Sequence, residues 1–253
     1  MKRLLLASAT ILIAAPAFGA DLHLAQPLKA PIASPAYDWS GFYAGINAGG
    51  GWGATQTTGN SASDSEYSGS LNNLAISQNA LQGLIAGGQF GYNYQFAFAG
   101  MPIVAGLEID GDWSGVQGTV SCAPVTANCS QSDKLTWTAD VTGRVGYAWQ
   151  NFLPYFKAGV VWGSFNHNLS ASVGNSTNVT GSASNTATGF LIGAGLEYAL
   201  SQHLTAKLEY NFLDFGTQTE NINFSGSSLG SVTVNGSFKD QVQVFKGGLN
   251  YKF

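Results

Sequence analysis

Charged side chains are scarce in this sequence, and most of them occur at alternate positions of apolar segments. The 253 residues include 10 Lys and Arg and 14 Asp and Glu, so that 9% are charged, against about 25% in an average domain. The charges that share the polar face of predicted strands are Glu108, Asp110, Asp140, Arg144, Lys157, Glu197, Lys207, Glu209 and Lys246. Opposite charges spaced in this way could pair with one another in a confined interior, or they could line a narrow path for ions.

Histidines and cysteines are too few and too scattered for most catalytic or metal chemistry. His23, His167 and His203 fall in separate segments of the chain, so we predict no catalytic triad, metal site or cofactor, and no enzymatic activity. We expect His167 to be an exposed residue near a loop. Cys122 and Cys129 lie in one predicted loop, and in an exported protein such a pair predicts a disulfide.

The N-terminus has the layout of a secretory signal peptide. Lys2 and Arg3 precede a short apolar run that ends in small residues. Three prolines follow at regular intervals, which predicts an extended leader. The predicted order is a signal peptide at 1–19, a proline-containing periplasmic leader at 20–38 and a barrel at 39–253.

Strand patterns fill the rest of the chain. Apolar and polar residues alternate with a period of two in eight segments, as in strands that face two environments. These segments are 40–54, 81–96, 102–114, 134–150, 153–167, 186–200, 204–218 and 239–253. Long connections rich in Ser, Thr, Asn and Gly alternate with short turns, as in bacterial outer-membrane barrels. We therefore predict an all-β fold, an eight-stranded antiparallel transmembrane barrel with both termini in the periplasm.

Aromatic residues distinguish a barrel in lipid from a soluble β-sandwich. Leu135, Trp137 and Trp149 share the parity of one apolar face, and the two tryptophans are separated by roughly 30 Å of tilted strand, close to the thickness of a bilayer core. Aromatic rings favour both membrane interfaces. The predicted belts are Trp52, Trp113, Trp137 and Trp162 at the end with long connections, and Trp149 and Tyr198 at the end with short turns.

The turn at 201–203 relates two of the charges to each other. Glu197 and Lys207 each lie five residues from Gln202, so a hairpin would make them cross-strand neighbours. The interior of an eight-stranded barrel is just wide enough to be filled by side chains. We predict a filled, ion-paired interior in which loss of Lys207 strands Glu197 or Glu209; a constricted ion path is the alternative.

The chain ends on a strand without a polar tail. Leu249, Tyr251 and Phe253 alternate with polar or small residues, as expected of a strand that closes a barrel in lipid. This ending also resembles the sorting signal of outer-membrane barrels, which implies that the three residues are recognised by the assembly machinery.

Several segments together resemble the outer-membrane immunogenic, or opacity-type porin, family of alphaproteobacteria. They are YDWSGFYAGINAGGGWG at 37–53, TGRVGYAW at 142–149, GAGLEYAL at 193–200, KLEYNFLDFG at 207–216 and GGLNYKF at 247–253. The resemblance implies an OmpA-like eight-stranded barrel that is abundant in the Gram-negative outer membrane and antigenic. It also implies an association of some members with haemin.

Taken together, these patterns predict an integral outer-membrane protein with a structural and surface-interaction role and a largely filled lumen. The alternatives are a narrow diffusion channel for small solutes and a haemin-binding surface receptor. Expected partners are membrane lipid, the barrel-assembly machinery through the C-terminal strand, and host or surface ligands through the long loops. A formal charge of −4 without a basic cluster gives no reason to expect nucleic-acid binding.

Overall fold

Antiparallel β-structure makes up almost all of the chain that the structure describes. The structure is a computed structural model, and it describes residues 37–63, 68–121, 128–173, 177–226 and 230–253. The predicted signal peptide at 1–19 and the leader up to residue 36 lie outside the described residues, and both stay predictions. The described part contains no helix that is long and apolar enough to cross a membrane.

The strands form one closed ring. Within the described residues they are β1 (Gly41–Ser63), β2 (Ser68–Phe98), β3 (Met101–Ser114), β4 (Gln117–Ser121), β5 (Asn128–Tyr147), β6 (Phe152–Val173), β7 (Thr177–Ala199), β8 (Leu204–Gly226) and β9 (Gly230–Lys252). Because β1 pairs with both β2 and β9, the first and last strands close the sheet. β4 continues β3 along β5 after a break at Gly115 and Val116. The ring therefore has eight antiparallel members, which confirms the predicted eight-stranded barrel.

The strands extend well beyond the predicted segments. We expected 170–185 to be a long loop, but β6 continues to Val173 and β7 begins at Thr177. Polar side chains bond across these extensions, as where Ser184 Oγ donates to Asn166 Oδ1 at 2.7 Å. The prediction was wrong because low apolar content was taken as a loop signal. In these extensions β6 and β7 pair with each other residue by residue, so ladder hydrogen bonds form along the backbone and polar side chains can face water.

At mid-height the barrel is apolar outside and polar inside. Phe156 and Ile46 are 70% and 69% exposed, whereas Glu108 is 1% exposed. This inversion of the usual soluble pattern suits a surrounding of lipid. The aromatic residues of the two predicted belts all face outward and are exposed: Trp52, Trp113, Trp137, Trp162, Trp149 and Tyr198.

The interior is layered along the barrel axis. We call the end that carries Gly41, Lys252 and the short turns the turn end, and the opposite end the hairpin end. From the turn end to the hairpin end, the buried side chains of β6 are Leu153, Tyr155, Lys157, Val161, Phe165, His167 and Leu169. An apolar layer, a charged layer, a second apolar layer and a second polar layer thus follow one another.

The second apolar layer was not predicted. It includes Leu135, which shared the parity of Trp137 in the sequence but is buried against Val161 and Phe165. A shift in the pairing of β5 with β6 lies between Leu135 and Trp137. One extra residue in a strand moves every later side chain to the other face, so strict alternation put Leu135 on the wrong side.

The charged interior as candidate functional site

Glu108 lies at the centre of the charged layer. Its Oε1 is 3.1 Å from Lys157 Nζ and 3.5 Å from Lys207 Nζ, and its Oε2 is 3.6 Å from Arg144 Nη1. Tyr43 Oη also donates to Oε2 at 2.7 Å. These five residues come from five different strands. One carboxylate from β3 therefore ties together β1, β5, β6 and β8 across the lumen.

Two further carboxylates complete the pairing of these cations. Glu209 lies 2.9 Å from Lys157 and 3.5 Å from Lys207, and Glu197 lies 3.2 Å from Arg144. Glu197 and Lys207 are opposite one another in the β7–β8 register, as predicted. Within the described residues, however, Lys207 pairs with Glu108 and Glu209 and not with Glu197. Of the two carboxylates named as alternatives in the sequence analysis, Lys207 therefore pairs with Glu209 and not with Glu197.

Arg144 is held by aromatic rings as well as by charge. Its guanidinium carbon lies 4.6 Å from the centre of the Tyr43 ring and 5.1 Å from that of Tyr155. Its Nε donates to Asn93 at 2.8 Å. Cation–π contacts of this kind are strongest where water is excluded. The two tyrosines therefore fill space beside the cation that water would otherwise occupy.

A second group of charges lies on the side of the lumen where β9 approaches β3. Lys246 Nζ is 2.8 Å from Asp110 and 3.0 Å from Asp112. Asp112 was missed, although it continues the alternation of Glu108 and Asp110. Asp140 is opposite Asp110 in the register, and it makes no ion pair with the part of the chain that is described here. All nine predicted lumen charges are thus buried, and all except Asp140 are ion-paired.

Apolar clusters lie inside the ring on both sides of these charges. On the turn side, Trp39 is 2% exposed and its backbone N–H donates to Gln95 at 3.0 Å. It packs with Val104, Ala148, Leu153, Tyr155 and Ala199. On the hairpin side the layer is larger, and its members are Leu81, Ile85, Val116, Leu135, Val161, Phe165, Ala187, Leu191, Leu213, Phe215, Val242 and Val244.

His167 does not lie where the sequence predicted it. It is fully buried in the second polar layer, with Nδ1 at 2.7 Å from Asp133 Oδ1. The sequence did contain a signal for this burial, because His167 has the same inward parity as Lys157 on the same strand. Among the described residues, no group of three or more His, Cys, Asp or Glu side chains could hold a metal ion.

The residues of the predicted assembly signal lie at the C-terminal end of the barrel. Leu249, Tyr251 and Phe253 lie outward and exposed on β9 and at its end, and Phe253 N donates to Phe42 O at 3.0 Å. Their recognition by assembly machinery stays a prediction. Cys122 lies outside the described residues, so the predicted Cys122–Cys129 disulfide also stays a prediction.

Comparisons with known proteins agree with this architecture. Residues 7–253 match the model of a family described as outer membrane protein beta-barrel domain. The chain is 31% identical over 262 residues, covering 100% of both proteins, to the 31 kDa outer-membrane immunogenic protein of Brucella melitensis biotype 1. It is 27% identical over 257 residues to the 25 kDa outer-membrane immunogenic protein of the same organism, covering 100% of this chain and 99% of the relative. The structure of outer membrane protein OprG from Pseudomonas aeruginosa aligns with 86% of this chain and 98% of its own, at 14% identity and a TM-score of 0.47, a likeness too weak to decide the fold.

Proposed function

Because this chain belongs to the outer membrane β-barrel domain family, we propose that it is a structural and surface-interaction protein whose lumen carries no steady flow of ions. It resides in the outer membrane, as its relatives do by name. The proposed orientation places the turn end in the periplasm and the hairpin end outside the cell. The role is non-enzymatic, since the described polar groups serve to neutralise one another rather than to face a cleft.

The observation that carries this proposal is the arrangement of cations around Glu108. Lys157, Lys207 and Arg144 all lie within 3.6 Å of its carboxylate, and their side chains are almost without exposed surface. A hydrated ion would have to displace these partners, which would leave buried charges unpaired at a cost of several kcal/mol each. The apolar layers on either side add barriers, because they offer an ion no ligand.

Conductance of the purified protein in a planar lipid bilayer tests the proposal. We expect no steady current from the wild type, with insertion checked independently by heat-modifiable migration on gels and a β-rich circular dichroism spectrum. Trp39→Ala serves as a comparison, because it removes the bulky side chain at the turn end but leaves the charged layer intact; it should also stay closed. A large, stable conductance from the wild type would refute the closed lumen and favour the narrow diffusion channel.

Surface interaction is proposed for the hairpin end. The named relatives are immunogenic outer-membrane proteins, which supports exposure of this chain as an antigen. The extended hairpins carry mostly neutral Ser, Thr and Asn, and they are the parts that host or surface ligands would meet. Within the described residues nothing favours the haemin alternative, since His167 is buried and His203 stacks on Tyr251 at the turn end.

A further inference from the structure

A second polar cluster lies near the hairpin end, separate from the charged layer. His167 is five residues beyond Trp162 of the aromatic belt, so the cluster lies outside the lipid-spanning part of the barrel. His167 Nδ1 is 2.7 Å from Asp133 Oδ1, and Nε2 is 3.9 Å from Asp240 Oδ2. The imidazole on β6 therefore lies between carboxylates of β5 and β9.

The imidazole is fixed in position, and one of its nitrogens is unused. Its ring stacks on Phe238 at 4.1 Å and lies parallel to Phe165 at 6.0 Å. Asp133 is held by Asn79 and Gln131, as Asn79 Nδ2 donates at 2.8 Å and Gln131 Nε2 at 2.9 Å. Nε2 of His167 is buried and finds no hydrogen-bond partner within the described ranges.

Next to this cluster the barrel wall contains a gap in strand pairing, which we call the seam. β7 pairs with β8 from Thr180 to Ser182 and again from Phe190 to Ala199. Residues 183–189 of β7 and 215–222 of β8 are not paired with each other, although both segments are described. In the β6–β7 register His167 is opposite Ala183, the first residue of β7 in the seam that has no partner on β8. The seam therefore lacks ladder hydrogen bonds at the level of the buried histidine.

The titratable groups that act on His167 are all acidic. Asp133 lies on β5, Asp240 on β9 and Glu220 on the segment of β8 that is not paired with β7. The described residues of β1, β2 and β7 that face His167 add no titratable group. Buried Glu220 Oε1 has no hydrogen-bond partner in the described chain. A positive charge on His167 would therefore attract Glu220 across the seam where the backbone ladder is missing.

Protonation of the cluster is favoured in the folded state. Burial alone would lower the pKa of His167, but the hydrogen bond to Asp133 and the nearby Asp240 carboxylate raise that pKa above its ordinary 6.5. Burial raises the pKa of Asp240 above 3.8 and that of Glu220 above 4.5. The folded cluster thus binds more protons than the open chain, so its stability falls as pH rises.

We propose that His167 is a proton-operated latch for the hairpin end of the barrel. The imidazolium holds Asp133, Asp240 and Glu220 around one positive charge and keeps β7 against β8. Loss of its proton leaves three carboxylates, of which Asp133 and Asp240 are buried, facing one another, and the seam opens. The paired part of the barrel below it, held by the Glu108 network, stays closed.

Hydrogen exchange of the folded protein in detergent micelles tests the latch. Between about pH 5.5 and about pH 8.5, after correction for the intrinsic rate, exchange at 180–182 of β7 and 223–225 of β8, which pair with each other beyond the seam, should rise severalfold as the imidazolium loses its proton and this pairing opens. Exchange at 190–199 of β7, which is paired with β8, serves as the internal reference and should not rise with pH after the same correction. The absence of a pH response at the seam would overturn the proposal.

Two variants of the cluster and one control variant assign the response to this cluster. His167→Gln removes the titrating charge and should abolish the pH response of the seam, whereas His203→Gln, an exposed histidine at the turn end, should retain it. Asp240→Asn keeps the imidazole but removes one of its carboxylates, so the seam should open at lower pH than in the wild type. Asp240→Asn decides the question if His167→Gln does not assemble. An unchanged pH midpoint of seam opening in Asp240→Asn would count against the latch.

Discussion

Replacement of Lys207 by alanine is the most direct perturbation of the charged layer. Lys207 Nζ lies 3.5 Å from Glu108 Oε1 and 3.5 Å from Glu209 Oε2. The substitution removes both contacts and leaves two buried carboxylates with fewer partners. Glu108 keeps Arg144 and Lys157, and Glu209 keeps Lys157, so neither carboxylate is fully orphaned.

The expected size of the effect follows from these contacts. Each 3.5 Å contact contributes about 5 kcal/mol of Coulomb attraction at an effective dielectric constant of about 20, most of which is offset by desolvation. Breaking a buried pair usually costs about 3–5 kcal/mol. Because both carboxylates keep another cation, we expect Lys207→Ala to lower the free energy of unfolding by about 2–3 kcal/mol.

Equilibrium unfolding in denaturant, followed by tryptophan fluorescence in lipid vesicles, measures this loss. Lys239→Ala removes an exposed lysine from β9 and is the matched control, with an expected change below about 0.5 kcal/mol. Adding Glu209→Gln to Lys207→Ala should recover part of the loss. Adding Glu197→Gln should not, because Glu197 pairs with Arg144. Equal stability of Lys207→Ala and Lys239→Ala would refute the argument, and so would rescue by Glu197→Gln alone.

The remaining predictions concern assembly, the disulfide and packing. Deletion of Phe253 should impair insertion and leave precursor in the periplasm, as fractionation would show; normal surface levels would exclude a sorting role. Thiol labelling without reductant should find no reactive Cys122 or Cys129 after denaturation, whereas two labelled thiols would mean that no bridge forms. Gly45→Ala should destabilise the barrel by about 1–3 kcal/mol in the same unfolding assay, because its Cβ would clash with Asn250 and the Leu249 carbonyl. Gly111→Ala, whose Cβ meets open space, should have little effect, and equal effects of the two would argue against close packing at Gly45.

Strand faces could be read from the sequence wherever the alternation is unbroken. Lys207 and Glu209 alternate with Leu208 and Tyr210, and the structure buries the first pair and exposes the second. The side on which a strand residue lies depends only on local backbone geometry, with its period of two. The same reasoning failed at Leu135, because a shift in pairing depends on the neighbouring strand and leaves no mark in the alternation of β5 itself.

The sequence by itself determined the class of the protein: a closed antiparallel barrel, apolar outside, with its charges directed inward. Only the tertiary structure decided which charges meet. Lys207 reaches Glu108, 99 residues away along the chain, and not its opposite neighbour Glu197, because partners across a lumen depend on the stagger of all eight members of the ring. For the same reason His167, which looked like an exposed residue near a loop, became a buried group between Asp133 and Asp240 once β5, β6 and β9 were closed around it.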